Sequence, residues 1–160
     1  MPITKEKISY SLNLSEKLKK IPRSKRKDAK ELIGNYLLDA IFNDTESAKS
    51  PVTGRKFKAL SKEYKSLKKA NTGRGAADLR LTETMLPSLM AKNTTNGVKI
   101  EITKRVEKLK AFNHITGDTL PSRPFLPDDN GEAVKPKLKG ANQFRTSIVR
   151  GIDDIIEDFI

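Results

Sequence analysis

Apolar residues repeat with two different spacings along this chain, and each spacing predicts a different kind of secondary structure. In residues 8–14 and about 88–103 they occupy every second position, which is the period of a half-buried strand. In residues of about 24–42 and 141–160 they recur at every third or fourth position, which is typical of an amphipathic helix. The chain therefore predicts an α+β fold, in which a small, mainly antiparallel sheet is packed by a long helix and a C-terminal amphipathic helix.

The segment at about 88–103 is predicted to be a β-hairpin. Its centre is Asn96-Gly97, a dipeptide that readily supplies the positive φ angles of a tight two-residue turn. After the turn, every second residue is apolar, namely Val98, Ile100 and Ile102. We therefore expect the second strand to place one side against the core and the other toward solvent.

Residues 104–113, which follow the hairpin, have two interpretations. The first is a short helix that carries Val106, Leu109 and Phe112 inward, since these residues recur at helical spacing. The second is a continuation of the hairpin followed by a loop. The sequence alone leaves both open.

A shorter basic helix is predicted between the long helix and the hairpin, at Lys62–Lys69. Ser61 precedes it and is a suitable N-cap, because its hydroxyl can accept a hydrogen bond from a free backbone N–H of the first turn. Tyr64 and Leu67 form the apolar side of this helix.

The length of 160 residues suits a single α+β domain spanning 1–160. Two segments interrupt the periodic pattern. Glycines and small polar residues predict a flexible loop near 71–78. Four prolines and three glycines predict a mostly irregular segment at 117–140.

Cysteine is absent, which excludes disulfides, thiolate metal sites and cysteine nucleophiles. No run of roughly 18 or more apolar residues occurs, so we expect no membrane-spanning segment and no membrane partner. The N-terminal residues lack the apolar core of a signal peptide, and we expect the protein to be made and kept in the cytoplasm.

The formal net charge is +12, and most of the excess lies before Gly75. A basic run at the start of the long helix contains Arg23, Lys25, Arg26 and Lys27. This run either contacts phosphates or is simply the exposed beginning of a helix. Cations at a helix N-terminus oppose the helix dipole, which favours a role in binding a partner.

The last twenty residues have the opposite balance of charge. Four carboxylates outnumber two arginines there: Asp153, Asp154, Glu157 and Asp158 against Arg145 and Arg150. A chain with a basic body and an acidic end can attract other copies of itself. Asp153 and Asp154 are therefore candidate interaction residues, together with the basic run.

Signals of enzymatic chemistry are weak. The chain has one histidine, His114, and contains no G-x-S-x-G, no Walker motif and no G-x-G-x-x-G. The acidic pairs Asp128-Asp129 and Asp153-Asp154 consist of adjacent residues that point to different faces, so neither pair alone forms a metal site. We expect no catalytic residue, no metal and no cofactor, with His114 as a packed or hydrogen-bonded residue.

Two segments resemble a known family. They are Ser50–Ser61 (SPVTGRKFKALS) and Ala111–Pro127 (AFNHITGDTLPSRPFLP). Together they are similar to the phage virion morphogenesis, or tail completion, family of head–tail junction proteins. The resemblance covers about residues 50–128 and is most specific over the stretch from His114 to Pro127.

Prolines at 121, 124 and 127 fix φ and hold the preceding residues extended in the second segment. We expect the segment to bury Phe125 and Leu126 and to present Arg123 outward. The planar guanidinium of Arg123 would then bind carboxylates on a neighbouring subunit. Arg123, Phe125 and Leu126 are therefore candidate interaction residues, and the alternative for Phe125 is a rigid loop that closes over its own core.

The resemblance implies a structural protein that acts in tail completion and head–tail joining. Its expected partners are further copies of itself, in a ring-forming homo-oligomer for which a hexamer is one candidate, and the tail tube and neck or connector proteins. Contact with DNA passing through the neck is a further expectation. The alternatives are a tail terminator, a head-completion protein and a basic nucleic-acid-binding protein.

Overall fold

The computed structural model describes residues 3–73, 75, 85–116, 123–127 and 144–160. They form a three-stranded antiparallel sheet and five α-helices, which confirms the predicted α+β class. In chain order the elements are β1 (Ile8–Asn13), α1 (Ser15–Leu18), α2 (Arg23–Glu46), α3 (Lys62–Thr72), β2 (Leu89–Thr94), β3 (Gly97–Ile102), α4 (Arg105–Thr116) and α5 (Thr146–Phe159).

Most of the predicted loop at 71–78 and most of the irregular segment at 117–140 lie outside the described residues. The start of the predicted loop is helical, because α3 continues to Thr72. It ends at Gly73, which has a left-handed φ of 76°. Glycine adopts this conformation without steric cost, so it is well suited to ending a helix.

The sheet has the strand order β1-β3-β2, so β3 is central and pairs antiparallel with both neighbours. The predicted hairpin is confirmed, but the predicted reason for its turn is wrong. The turn residues are Thr95 and Asn96, and neither has a positive φ. Gly97 is already the first residue of β3 and lies opposite both Asn13 and Thr94.

Gly97 is needed because another backbone comes close to it. A Cβ added at this position would overlap the carbonyl oxygen of Leu12 and would come within 3.1 Å of the Leu14 nitrogen. The Leu14 N–H donates to the carbonyl of Asn96 at 2.7 Å. Absence of a side chain at Gly97 therefore allows β1 to pair along the full length of β3.

The core lies between the sheet and the two long helices. Helix α2 packs on β2 and β3, and α5 runs against α2. Both helices bury a stripe of residues at four-residue spacing, formed by Ala29, Ile33, Leu37 and Ile41 in α2 and by Ile148, Ile152 and Ile156 in α5. Leu32, which shares the apolar pattern of α2 in the sequence, lies largely exposed beside this stripe.

Of the two interpretations of residues 104–113, the helix is confirmed, since α4 spans Arg105–Thr116. Its buried face, however, differs from the expected one. Phe112 is buried, whereas Val106 is 67% exposed and Leu109 is 49% exposed. A three-residue step turns a helix by about 300°, so Val106 and Phe112 lie about 120° apart around the axis. Phe112 shares its face with Ala111 and Ile115 instead, and these two residues are also buried.

Candidate functional site

Ser50 joins the two segments that carry the family resemblance. Its side chain is buried, and its hydroxyl donates to the carbonyl of Pro124 at 2.6 Å. The same oxygen accepts from the backbone N–H groups of Val52, at 3.1 Å, and Thr53, at 3.2 Å. One serine therefore holds the turn that follows it and fastens that turn to a segment more than seventy residues away.

Arg123 makes a second connection between these segments. Its Nε donates to the carbonyl of Lys58 at 2.9 Å, and its Nη2 donates to that of Ala59 at 3.3 Å. Its own backbone N–H donates to the carbonyl of His114, at the end of α4. The side chain thus satisfies carbonyl groups in the irregular stretch before α3, which has no strand or helix to do so.

The prediction that Arg123 points outward is therefore wrong, since the residue is only 4% exposed. Burial lowers the pKa of its guanidinium, although arginine still carries its charge at neutral pH. The expected burial of Phe125 and Leu126 is confirmed, but both side chains lie in the chain's own core and neither is exposed to act as an interaction residue. Phe125, Leu126 and Arg123 thus all face the interior of the protein.

A cleft of about 420 Å³ lies beside these connections. It is lined by residues 58–61 and by Tyr64, His114 and Arg123. His114 is on the last turn of α4, and its Nδ1 is shielded from solvent with no hydrogen-bond partner in the described part of the chain. Burial lowers the pKa of His114 to about 4, and the nearby charges of Arg123 and Lys68 act in the same direction. The ring is therefore neutral at pH 7 and a weak proton acceptor.

Acidification is expected to destabilise the protein through His114. Between its ordinary pKa of 6.5 and its folded value of about 4, the unfolded chain binds a proton that the folded chain does not. Stability therefore falls as the pH falls through this window, by about 3 kcal/mol in total. The free energy of unfolding of wild type and of His114→Gln is measured by chemical denaturation at several pH values between 7.5 and 4. The contribution of His114 is the additional loss of stability in wild type. If both proteins lose stability in parallel, the ring does not titrate in the way described.

The predicted basic run does not behave as a single group. Arg23, Lys25 and Lys27 are exposed on the first two turns of α2, and none of the three forms an ion pair with another described residue. Arg26 is only half-exposed, and its Nε donates to the carbonyl of Ile21 at 2.9 Å. Arg26 thus stabilises the backbone just before α2. The exposed side chains of Arg23, Lys25 and Lys27 remain available to bind a partner.

The predicted acidic pair is also divided. Asp153 forms an ion pair with Lys17, which fastens α5 to α1 within the same chain. Asp154 is exposed and, within the described ranges, takes part in no ion pair. Near the start of α5, Arg145 binds Asp44 with two hydrogen bonds, of 2.8 and 3.1 Å. Helix α5 is therefore an integral part of the core, and only its outer side is available to a partner.

Two features of this region were not predicted from the sequence. Lys68 is 2% exposed, although Tyr64 and Leu67, its neighbours on α3, are 37% and 53% exposed. Val106 and Leu109 form an exposed apolar pair on α4. A signal for the second feature was present, because Ala111, Phe112 and Ile115 have the three- and four-residue spacing of a competing apolar face.

Within the parts of the chain that the structure describes, no group of three or more histidine, aspartate or glutamate residues is placed to hold a metal ion. No helix among them has both the length and the apolar character required to span a bilayer. Comparison with protein-family models, with curated proteins and with solved structures finds no match to this chain.

Proposed function

We propose that the protein is a structural component of a tailed-phage virion that acts in tail completion and head–tail joining. It is assembled into the particle after synthesis in the host cytoplasm, and it works by binding copies of itself and neighbouring tail or neck proteins. No step of this role needs a catalytic residue or a cofactor.

The observation that carries the proposal is the connection between the two resembling segments. Ser50 and Arg123 are separated widely in sequence, yet Ser50 bonds to Pro124 and Arg123 bonds to Lys58 and Ala59. The described residues of the two stretches are thus joined by side-chain hydrogen bonds, although the stretches are far apart in the sequence. Such an arrangement is expected if the two motifs are kept together to build a single scaffold.

The distribution of charge on the surface supports self-association through head-to-tail contacts. Exposed carboxylates lie on α5, at Asp154, Glu157 and Asp158, and exposed cations lie on other elements of the same molecule, including α2 and α4. Different patches of one molecule that attract each other produce head-to-tail contacts, which close into rings when the rotation permits. A ring is the expected geometry around a tail, through which DNA must pass.

Fractionation of the phage that encodes this chain tests the proposal. Finished tails, DNA-filled heads and whole particles are separated on a density gradient and probed for the protein. We expect it in free tails and whole particles and not in unjoined heads. Its presence in heads but not in tails would favour a head-completion protein, and its absence from all three fractions would contradict a virion role.

A second candidate function is binding of duplex DNA, favoured by three exposed cations at the start of α2 that form no ion pair with a described residue. Phosphate contacts release counterions, so affinity would fall steeply with salt. Titration of duplex DNA at two salt concentrations tests this, with Lys25→Ala/Lys27→Ala against Lys62→Ala/Lys65→Ala as the matched control. A selective loss in the first variant supports DNA contact at α2, and equal affinities for both variants contradict it.

A further inference from the structure

The outer side of α4 carries two apolar residues that the fold leaves uncovered. Val106 and Leu109 are spaced by about one turn and are 67% and 49% exposed. They lie in an open groove of about 1050 Å³, which is also lined by Lys5, Arg105 and Lys108. We call this surface the α4 groove. Adjacent exposed apolar side chains with a polar rim are a feature of protein-binding surfaces.

The charge of the α4 groove selects the kind of partner. Lys5, Arg105 and Lys108 form no ion pair with any described residue, and Glu6 is the one carboxylate among the described residues that line the groove. The Nζ of Lys5 lies 5.7 Å from the centre of the Phe112 ring, a contact that keeps this cation at the groove. The groove therefore suits an acidic segment that also has apolar side chains.

The chain itself has a surface of this description at the end of α5, formed by Asp154, Glu157, Asp158 and Ile160. The three carboxylates are exposed and form no ion pair within the described residues, and Ile160 is 65% exposed. Arg150 is the one exposed cation on this side of α5. We call this surface the acidic end of α5. It presents carboxylates beside an apolar residue, which complements the α4 groove.

We propose that the α4 groove of one copy binds the acidic end of α5 of the next copy. No ion pair joins the two helices within one chain, as far as the chain is described, so each surface remains available to a neighbour. Because the two surfaces differ, the contact is heterologous and repeats from copy to copy. The inference rests on the proposed assembly function, for which it names the contact surfaces.

A charge-exchange experiment tests this contact by sedimentation velocity at low ionic strength. One variant makes the groove acidic, Arg105→Glu/Lys108→Glu, and the other makes the end of α5 basic, Asp154→Lys/Glu157→Lys. Each variant alone places like charges at the contact, so we expect its self-association to weaken by about tenfold or more. An equimolar mixture restores opposite charges at every contact, and we expect assembly to recover in the mixture.

Two controls separate this effect from a change in net charge or folding. Lys62→Glu/Lys65→Glu alters the charge as much as the first variant, but on α3, and Asp28→Lys/Glu31→Lys does the same for the second on α2. Both controls are expected to assemble like wild type, and circular dichroism with thermal unfolding verifies that every variant folds.

Three results would each contradict the proposed contact. Wild type stays monomeric, either charge variant assembles as well as wild type, or the mixture of folded variants does not recover assembly. If the acidic-groove variant assembles normally but no longer joins finished tails, the groove binds an acidic neighbour and not a second copy. These results are independent of fractionation of the virion. If the protein is found in tails but the variants assemble like wild type, the proposed contact is wrong and the proposed function is still supported.

Discussion

Replacement of Gly97 by alanine is expected to destabilise the protein by about 3 kcal/mol, because the new Cβ would overlap the backbone of a neighbouring strand. The overlapping atom is the carbonyl oxygen of Leu12, which cannot swing away as the tip of a long side chain can. Relief of the overlap requires β1 to move from β3, which breaks the hydrogen bond from Leu14 N–H to the Asn96 carbonyl. The cost thus falls on the pairing of the central strand.

Urea denaturation followed by circular dichroism measures this loss. The matched control is Thr95→Ala, an exposed substitution in the same turn, which is expected to change stability by about 0.5 kcal/mol or less. Equal stability of Gly97→Ala and Thr95→Ala would mean that β1 does not approach β3 as closely as described.

Replacement of Phe125 by alanine is expected to cost about 3–5 kcal/mol, which is the usual range for removal of a fully buried aromatic side chain. Phe125 is completely enclosed and belongs to the main hydrophobic core. It lies on irregular backbone that is fastened through Pro124 to Ser50 and through Arg123 to the stretch before α3. Loss of the ring therefore leaves a cavity and also removes the anchor of both connections.

Thermal unfolding compares Phe125→Ala with Phe125→Leu, which keeps most of the apolar volume and is expected to cost about 1–1.5 kcal/mol. Hydrogen exchange adds a local readout, since the N–H groups of Val52 and Thr53 depend on the buried Ser50 hydroxyl. We expect these two amides to exchange faster in Phe125→Ala. A loss below about 1 kcal/mol would show that this segment is not part of the core.

The periodic parts of the fold could be predicted from the sequence because each exposes one face and buries the other. Helix α2, the hairpin and α5 all follow from such patterns, and their observed bounds differ from the predicted ones by a few residues at either end. The face of α4 could not be predicted in the same way, since Val106, Leu109 and Phe112 form one plausible stripe and Ala111, Phe112 and Ile115 form another. The choice depends on contacts with β1, which the sequence of α4 does not encode.

The candidate site was predictable only in part, because some of its contacts join residues that are far apart in the sequence. The burial of Phe125 and Leu126 could be predicted because prolines on either side hold these two apolar residues extended. The burial of Arg123 could not be predicted, because its acceptors are the carbonyl groups of Lys58 and Ala59, which lie outside any helix or strand. Those carbonyls lie more than sixty residues away, and no local pattern reveals them.

Gly97 illustrates a third kind of difference, in which the residue was recognised as important for the wrong reason. Asn-Gly is common in tight hairpin turns with positive φ, yet here the turn lies one residue earlier and has negative φ angles. The glycine is required by the approach of β1, an element that lies far away in the sequence. Local statistics indicated the correct residue, and tertiary packing explains why it must be glycine.

Electron microscopy of particles produced without this protein tests its proposed role in tail completion most directly. We expect DNA-filled heads and separate tails of normal length that fail to join, and joining should be restored by adding the purified protein. Overlong tails would indicate a tail terminator instead. Normal, infectious particles that lack the protein would contradict the account.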